Sequence, residues 1–291
     1  MPGSIMLTQP QKVKPKIDRL KERLVTLGPS LLAFSGGVDS LFLLKIAEEV
    51  LGKGILAVTW VSPLYPSWER EQVEALRASL RARHMFIYTD SLDKEITFNP
   101  PERCYLCKQN LLLRLTGIAK QHGLNAILDG STVDDLRDFR PGKKAALEAG
   151  VVSPLQDVGY TKKEVRQALK SLGVSTWNKP SSSCLATRIP YGEEITLDRL
   201  KRIEEGERFL REMGLEQLRL RDHGNIARIE IDKKDTHLLL SGALRSKVTE
   251  KLKSLGYNYV TLDLEGYRSG SMNLDMPLVR TKSRKRAKRV S

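Results

Sequence analysis

Cysteine is scarce: the 291 residues hold three, at positions 104, 107 and 184. An odd count cannot close a disulfide framework, and it points to a reducing cytoplasm in which thiols serve metals or catalysis. Long apolar runs are missing too, none reaching the roughly eighteen residues of a membrane span, so no membrane partner is expected. The opening residues, Met1-Pro2-Gly3-Ser4-Ile5-Met6, lack a basic stretch followed by an apolar one, so no secretory signal is expected. Acids are absent from Arg280 to Ser291, where seven Lys/Arg carry half of the net charge of +14. Such a block is expected to be a solvated, disordered end, with a nucleic-acid-binding arm as the alternative. The remaining excess suits an enzyme that handles anionic nucleotides.

What is present is ordinary for a globular chain: 40% apolar and 29% charged residues, enough for one large domain or two modest ones. Ile17, Leu20, Leu24 and Leu27 recur at helical spacing over 14–27. Leu31 to Phe34 is a short apolar run that stops at Ser35-Gly36-Gly37, and a helical pattern resumes from Leu41 to Leu51. Buried strands are expected at Ile55–Val61, Met85–Thr89 and Ala126–Leu128, with helices at Trp68–Arg83 and Leu111–His122 between them. Alternating strands and helices imply a parallel sheet covered on both faces. Past residue 190 the pattern changes to α+β. A helix over Leu197–Met213, with Thr196 or Asp198 as cap, is followed by paired strands at Gln217–Leu220 and Ala227–Ile231. A helical stretch over Asp235–Leu255 and a strand at Tyr259–Leu264 complete it. The boundary is set near Pro190-Tyr191-Gly192.

A strand, a Gly-Gly turn and a helix make a phosphate cradle, because turn and helix N–H groups converge on an anion and the helix dipole favours its charge. In this chain the cradle reads Ser35-Gly36-Gly37-Val38-Asp39-Ser40. The glycines admit phosphate closely, Ser35 and Ser40 add hydroxyls, and Asp39 can help hold Mg²⁺. A Walker loop, G-x-x-x-x-G-K-[ST], is absent. The hexapeptide resembles the SGGxDS signature of PP-loop ATP pyrophosphatases, a superfamily that includes NAD and GMP synthetases and several tRNA thiolases. The resemblance implies ATP as substrate, release of pyrophosphate and an adenylated intermediate. Asp129-Gly130-Ser131 resembles that superfamily's second nucleotide-side loop, an ordinary strand-end turn being the plain alternative.

Cys104-Tyr105-Leu106-Cys107 is a C-x-x-C pair, and the third thiol lies in Ser183-Cys184-Leu185-Ala186-Thr187-Arg188. Three thiolates from separate loops could hold a 4Fe-4S cluster with one iron open. Zinc lacks a fourth ligand, since His84, His122, His223 and His237 have no suitable spacing. A redox C-x-x-C is open, without a thioredoxin-like context. The resemblance sharpens over Arg140-Pro141-Gly142, Trp177-Asn178-Lys179, Arg188-x-Pro190-Tyr191-Gly192, Arg219-x-Arg221, Ile226-Ala227-Arg228-Ile229-Glu230, Tyr259-Val260-Thr261-Leu262-Asp263 and Gly266-Tyr267-Arg268-Ser269-Gly270. Together these resemble the LarE family, the pyridinium-3,5-bisthiocarboxylic acid mononucleotide synthases of nickel-pincer nucleotide biosynthesis, over roughly residues 15 to 273.

That resemblance implies that ATP adenylates a carboxylate of a pyridinium mononucleotide and that sulfur then displaces AMP. One branch of the family sacrifices a single cysteine, matching Cys184, which becomes dehydroalanine. The extra Cys104 and Cys107 make this chain similar to the three-cysteine branch, in which a 4Fe-4S cluster carries the sulfur. Zinc binding or inert core thiols remain a third reading. Cys184, Asp39, Lys108 and Arg188 are the expected catalytic residues, with Arg188 expected to face the same chamber as Cys184. Ser35, Gly36, Gly37, Asp39, Ser40, Asp129 and Gly130 are expected to bind the nucleotide. Arg219 and Arg221 alternate on a strand and share one face, which suits a mononucleotide phosphate. Glu207 and Glu230 match acidic family positions near metal or substrate, surface acids being the commoner explanation. The expected architecture is an α/β parallel-sheet PP-loop domain, adenine nucleotide alpha hydrolase-like, over 1–190. A smaller α+β domain follows over 191–275, then a basic tail over 276–291. A pyridinium-3,5-biscarboxylic acid mononucleotide and a sulfide donor are the expected partners, and a homo-oligomer is expected. The rival reading is a PP-loop tRNA thiolase, which would explain the basic charge; a nucleotide-binding regulatory module without catalysis is the third.

Overall fold

The first apolar run becomes β1 (Ser30–Ala33), whose successive side chains go to opposite faces. Leu31 joins a core with Leu56, Val58, Leu112 and Leu115, whereas Leu32 joins another with Ile55, Ala57, Leu43 and Leu44. Strands apolar on both sides belong in a sheet covered twice. In the computed structural model β1 pairs with β2 (Ile55–Val61) and β4 (Ala126–Leu128), and β2 with β3 (Arg83–Tyr88). All pairs are parallel, in the order β3-β2-β1-β4. The structure describes residues 13–137, 141–180, 182–268 and 270–272; Arg140, Ser181, Ser269 and the basic tail lie outside them.

The helices of this part are α1 (Val13–Leu27), α2 (Val38–Leu51), α3 (Ser67–Arg77), α4 (Lys94–Thr97), α5 (Arg103–Gln121), α6 (Pro141–Glu148), α7 (Pro154–Val158) and α8 (Lys162–Ser171). Residues of α2, α7 and α8 build the core around Leu32, and residues of α5 and α6 the core around Leu31. From β1 the chain crosses to β2 on one side and later returns to place β4 on the other. The carboxyl ends of β1 and β4 therefore form the switch point at which open α/β sheets bind ligands.

Farther along, α9 (Leu197–Glu212) starts at Thr196, whose hydroxyl accepts from the Arg199 N–H at 3.2 Å. β5 (Leu218–His223) runs antiparallel to β6 (Ile226–Ile231), and β7 (Tyr259–Leu262) pairs with β6 in parallel. α10 (Thr236–Leu240) and α11 (Gly242–Ser254) cover this sheet through Leu239, Val248 and Leu252. A fourth core lies at the junction, where Leu64, Trp68 and Ile96 meet Leu185, Ala186, Ile189 and Ile203. The side chain of Glu204 in α9 accepts from the Ser67 N–H, and Arg208 pairs with Glu71 at 2.8 Å, so α9 is fastened to the start of α3.

Three segments differ from the sequence expectation. α3 ends at Arg77 because Arg83 already pairs with Leu56 in the sheet. The 235–255 stretch is broken at Ser241, whose backbone is extended. α5 begins at Arg103, eight residues before the apolar repeat that predicts it, so Cys104 and Cys107 sit on a helix and not in a loop. No helix among the described residues is long and apolar enough to cross a membrane.

Candidate active site

At the end of β1 the chain turns through Gly36, whose φ of +70 suits glycine, and a Cβ there would come within 2.3 Å of Val73 Cγ2. Ser40 is buried; its hydroxyl donates to the Gly37 carbonyl at 3.0 Å and lies 3.1 Å from Ser35 Oγ. Gly37 caps α2 without a side-chain partner for the helix amides. Gly130 passes so close that a Cβ would stand 2.7 Å from the Ser40 nitrogen. Asp129 is fixed by the Ser131 N–H at 3.1 Å and the Ser153 hydroxyl at 2.7 Å. The two loops expected to meet at a nucleotide therefore do meet.

A cavity of about 390 Å³ opens on this turn, lined by Ser35, Gly37 and Asp39 together with Lys162, Arg166 and Lys179. Lys179 reaches the Gly36 carbonyl at 3.5 Å and Glu69 at 2.5 Å, while Arg166 holds the Lys179 carbonyl at 2.9 Å. Three cations beside the amino end of α2 suit a polyphosphate. Tyr65 closes the rim and donates to the Ser35 carbonyl at 3.1 Å.

The second cavity, of about 930 Å³, lies between α5 and α6 on one side and β5 on the other. Its lining includes Cys104, Lys108 and Asp129 together with Arg219, Arg221 and Arg268. Arg219 and Arg221 share a face, as the strand period requires, but both are 4% exposed and so do not form a solvated basic face. Burial pushes the Arg219 guanidinium down to about 10, helped by nearby Arg188, which leaves it cationic at neutral pH. Arg219 stacks on Tyr267, with 5.1 Å to the ring centroid. Arg221 donates to the Thr187 carbonyl at 2.8 Å and to Glu230 at 2.7 Å. The buried Nε groups of Arg221 and Arg268 have no hydrogen-bond partner among the described residues, which leaves donors for an anion in this chamber.

Glu207, Glu230 and Arg188 line neither cavity, and this corrects the expectation that Arg188 faces the chamber. None of the three is exposed. Arg188 grips Glu207 through two bonds, at 2.8 and 2.9 Å, and its Nη1 donates to the carbonyls of Ser183 and Cys184. Burial opposes charge on both partners, but their mutual attraction prevails, holding Glu207 below the usual carboxylate range and Arg188 above its own. Glu207 also accepts from the Leu220 N–H at 3.0 Å, between Arg219 and Arg221. Glu230 is claimed by Arg221 and by Ser271 at 2.8 Å.

The thiols gather where the two cavities adjoin. Cys184 lines the smaller, Cys104 the larger, and Ser182 and Ser183 line both. Cys107 and Cys184 pack against the junction core. Burial, then the Cys184 and Cys104 sulfurs, push the Cys107 thiol up to about 12. Burial alone would lower Arg103, yet the Cys184 and Cys104 sulfurs beside it hold it above its ordinary value. Among the described residues no three His, Cys, Asp or Glu side chains converge on a single ion. The three thiols lie near one another beside the buried Arg103 guanidinium, and thiolates are the donors that would hold an iron–sulfur cluster.

Comparison with known proteins decides the lineage. The chain is 39% identical over 244 residues to the pyridinium-3,5-bisthiocarboxylic acid mononucleotide synthase of Lactiplantibacillus plantarum, which covers 83% of this chain and 88% of the relative. The chain belongs to the LarE family. Two uncharacterised proteins are similar as well. One, from Synechocystis, is 40% identical over 89% of this chain and 97% of its own length. The other, from Methanocaldococcus jannaschii, is 32% identical over 82% and 90% respectively. No family model matches. LarE membership carries the PP-loop fold with it, in agreement with the parallel sheet and the turn after β1.

Several residues of this LarE-family site escape sequence reasoning. Lys162 and Arg166 fall on a helix whose lysines and arginines look like solvated surface, and nothing in their spacing points at the turn after β1. Lys179 sits in a quoted motif, but only the fold brings it to Gly36. Arg103 adjoins the C-x-x-C, a signal that could have found it.

Proposed function

We propose that this chain is an ATP-dependent sulfurtransferase acting on a pyridinium-3,5-biscarboxylic acid mononucleotide in nickel-pincer nucleotide biosynthesis. The observation that carries this reading is the shared wall: a cysteine-bearing segment, Ser182 to Cys184, between a phosphate cradle and an arginine-lined chamber. Ser35, Gly36, Gly37 and Ser40 cradle the ATP phosphates, with Asp129 and Gly130 completing the nucleotide side. Asp39 holds Mg²⁺, and Lys162, Arg166 and Lys179 neutralise the polyphosphate. Arg219 and Arg221 take the substrate phosphate through charge-assisted bonds. A substrate carboxylate attacks the α-phosphorus and pyrophosphate leaves. A sulfur nucleophile then adds to the acyl carbon, and AMP departs with the C–O bonding pair. Lys108, in the chamber near Cys104, offsets the charge of the adenylate. Arg188 and Glu207 act as positioning residues, holding the Cys184 segment against the strand that carries both arginines.

The residues that would hold a 4Fe-4S cluster are Cys104, Cys107 and Cys184. When bound, such a cluster supplies an open iron to which an added sulfide can attach. The extra Cys104 and Cys107 beside Cys184, and the nearby Arg103 guanidinium, support this over the sacrificial route. Intact mass and iron content after anaerobic turnover test it. Repeated turnover with supplied sulfide, unchanged protein mass and loss of iron in each Cys→Ala variant are expected. One sulfur per chain, with Cys184 converted to dehydroalanine and Cys104 and Cys107 dispensable, would overturn the cluster and leave the sulfur transfer standing.

A further inference from the structure

The three thiols come from segments about eighty positions apart in sequence, and something must set their spacing. Asn99 lies in the turn between α4 and α5, five residues before Cys104, and is fully buried. It is the one non-glycine with positive φ among the described residues, at +51. Asparagine tolerates that region better than most residues, but a buried example calls for compensation. The compensation is on the side chain and backbone together. Asn99 Nδ2 donates to the Ile189 carbonyl at 2.9 Å and to the Pro190 carbonyl at 2.7 Å. Its Oδ1 accepts from Arg103 Nη1, and its own carbonyl accepts from the Gly192 N–H at 3.1 Å. Arg103 Nη1 also donates to the Ala186 carbonyl at 3.2 Å, and its guanidinium lies over Tyr191, 5.5 Å from the ring centroid.

Apart from the bond between Asn99 and Arg103 themselves, each of these contacts joins the turn before Cys104 to the chain just after Cys184. Isoleucine, proline and alanine offer only backbone carbonyls there, so the two Nδ2 donors do what no apolar residue at 99 could do. The partners are buried, and unpaired they would carry a desolvation penalty. The structure also excludes the simplest alternative, that the segment is held only by its own packing. Leu185 and Ile189 pack in the junction core through non-directional apolar contacts, whereas the bonds to the carbonyls of Ala186, Ile189 and Pro190 are directional.

We propose that Asn99, with Arg103, is a positioning residue that fixes the separation of Cys184 from the Cys104–Cys107 helix turn. It rests on the reading that the three thiols act together, though the spacing itself can be measured without a cluster. Asn99 touches no reacting group; it acts through the backbone on both sides of the thiols.

The test uses the apo, reduced full-length chain and a short thiol-to-thiol cross-linker, dibromobimane, which fluoresces when it bridges two thiols. Mass spectrometry of the digest reports whether Cys184 is joined to Cys104 or Cys107. Asn99→Gly retains positive φ and deletes the amide; Arg103→Lys retains the charge and deletes the fork. Bridging to Cys184 is expected to fall about tenfold or more in Asn99→Gly, since a misplacement near 1 Å can cost up to about a hundredfold where two groups must meet in one geometry. Bridging of Cys104 to Cys107, three residues apart in sequence, is expected to stay unchanged and so controls for thiol reactivity, while a native circular dichroism spectrum at the assay temperature controls for folding. Arg103→Lys is expected to fall between wild type and Asn99→Gly. Wild-type bridging to Cys184 in both variants would overturn the proposal. Loss of the native spectrum along with bridging to Cys184 would also overturn it, because the role would then be general stability. Failure of the wild type to bind iron would sink the cluster reading alone and leave this result readable.

Discussion

Charge placement decides most of what single residues do here. Asp39 stands at the mouth of the phosphate turn, half-buried and outside every core cluster. Asp39→Ala is therefore expected to abolish formation of the substrate adenylate, measured as AMP release, with an unchanged melting temperature. Full activity in a well-folded variant would remove Mg²⁺ binding from this residue. Arg219 lines the larger cavity and Lys179 the smaller, so under the proposed function the mononucleotide and ATP would fall to separate cations. Arg219→Ala is expected to weaken the mononucleotide by about 1.5–3 kcal/mol, the worth of a charge-assisted bond, and ATP little. Calorimetric titration of each ligand checks the split. The glycines and serines of the turn were legible because their chemistry is local. The partner of Glu207 was not: its bond to Arg188 joins residues nineteen apart, and one of four glutamates in a charged helix reads as surface.

At the scale of elements, α9 carries the junction. It meets α3 through Glu204 and Arg208, the Cys184 segment through Glu207, and the second sheet through Gly206. A glycine within a helix costs about 1 kcal/mol relative to alanine, so its presence needs a reason. A Cβ at Gly206 would stand 2.3 Å from Leu220 Cδ2 and 3.0 Å from Leu252 Cδ2. Gly206→Ala is expected to lower stability by about 1–3 kcal/mol through overpacking, despite the helix propensity gained. Chemical denaturation reads this; a stabilised variant would show that the helix can shift away from β5. The strands of the first sheet were readable from continuous apolar runs. The start of α5 was not, because Arg103 to Asn110 mixes thiols and polar groups that face partners supplied by distant segments, such as Asp93 opposite Asn110 at 2.7 Å.

For the molecule as a whole, two cavities and one partition give the division of labour. The switch point of the sheet explains why the phosphate turn and Asp129-Gly130 converge, and the junction core explains why Cys184 comes to lie beside them. Neither relation depends on residues near one another in sequence, so composition and spacing alone could suggest the parts and not their arrangement. The most direct test of the central claim is a single-vessel stoichiometry. The anaerobic protein, reconstituted with iron and sulfide, is incubated with ATP, Mg²⁺, sulfide and pyridinium-3,5-biscarboxylic acid mononucleotide. AMP, pyrophosphate and the mass of the mononucleotide are then followed together. The account predicts one AMP and one pyrophosphate for each oxygen replaced by sulfur, with neither appearing when the mononucleotide is omitted. ATP cleaved to ADP, or AMP released while the mononucleotide keeps all its oxygen, would contradict it.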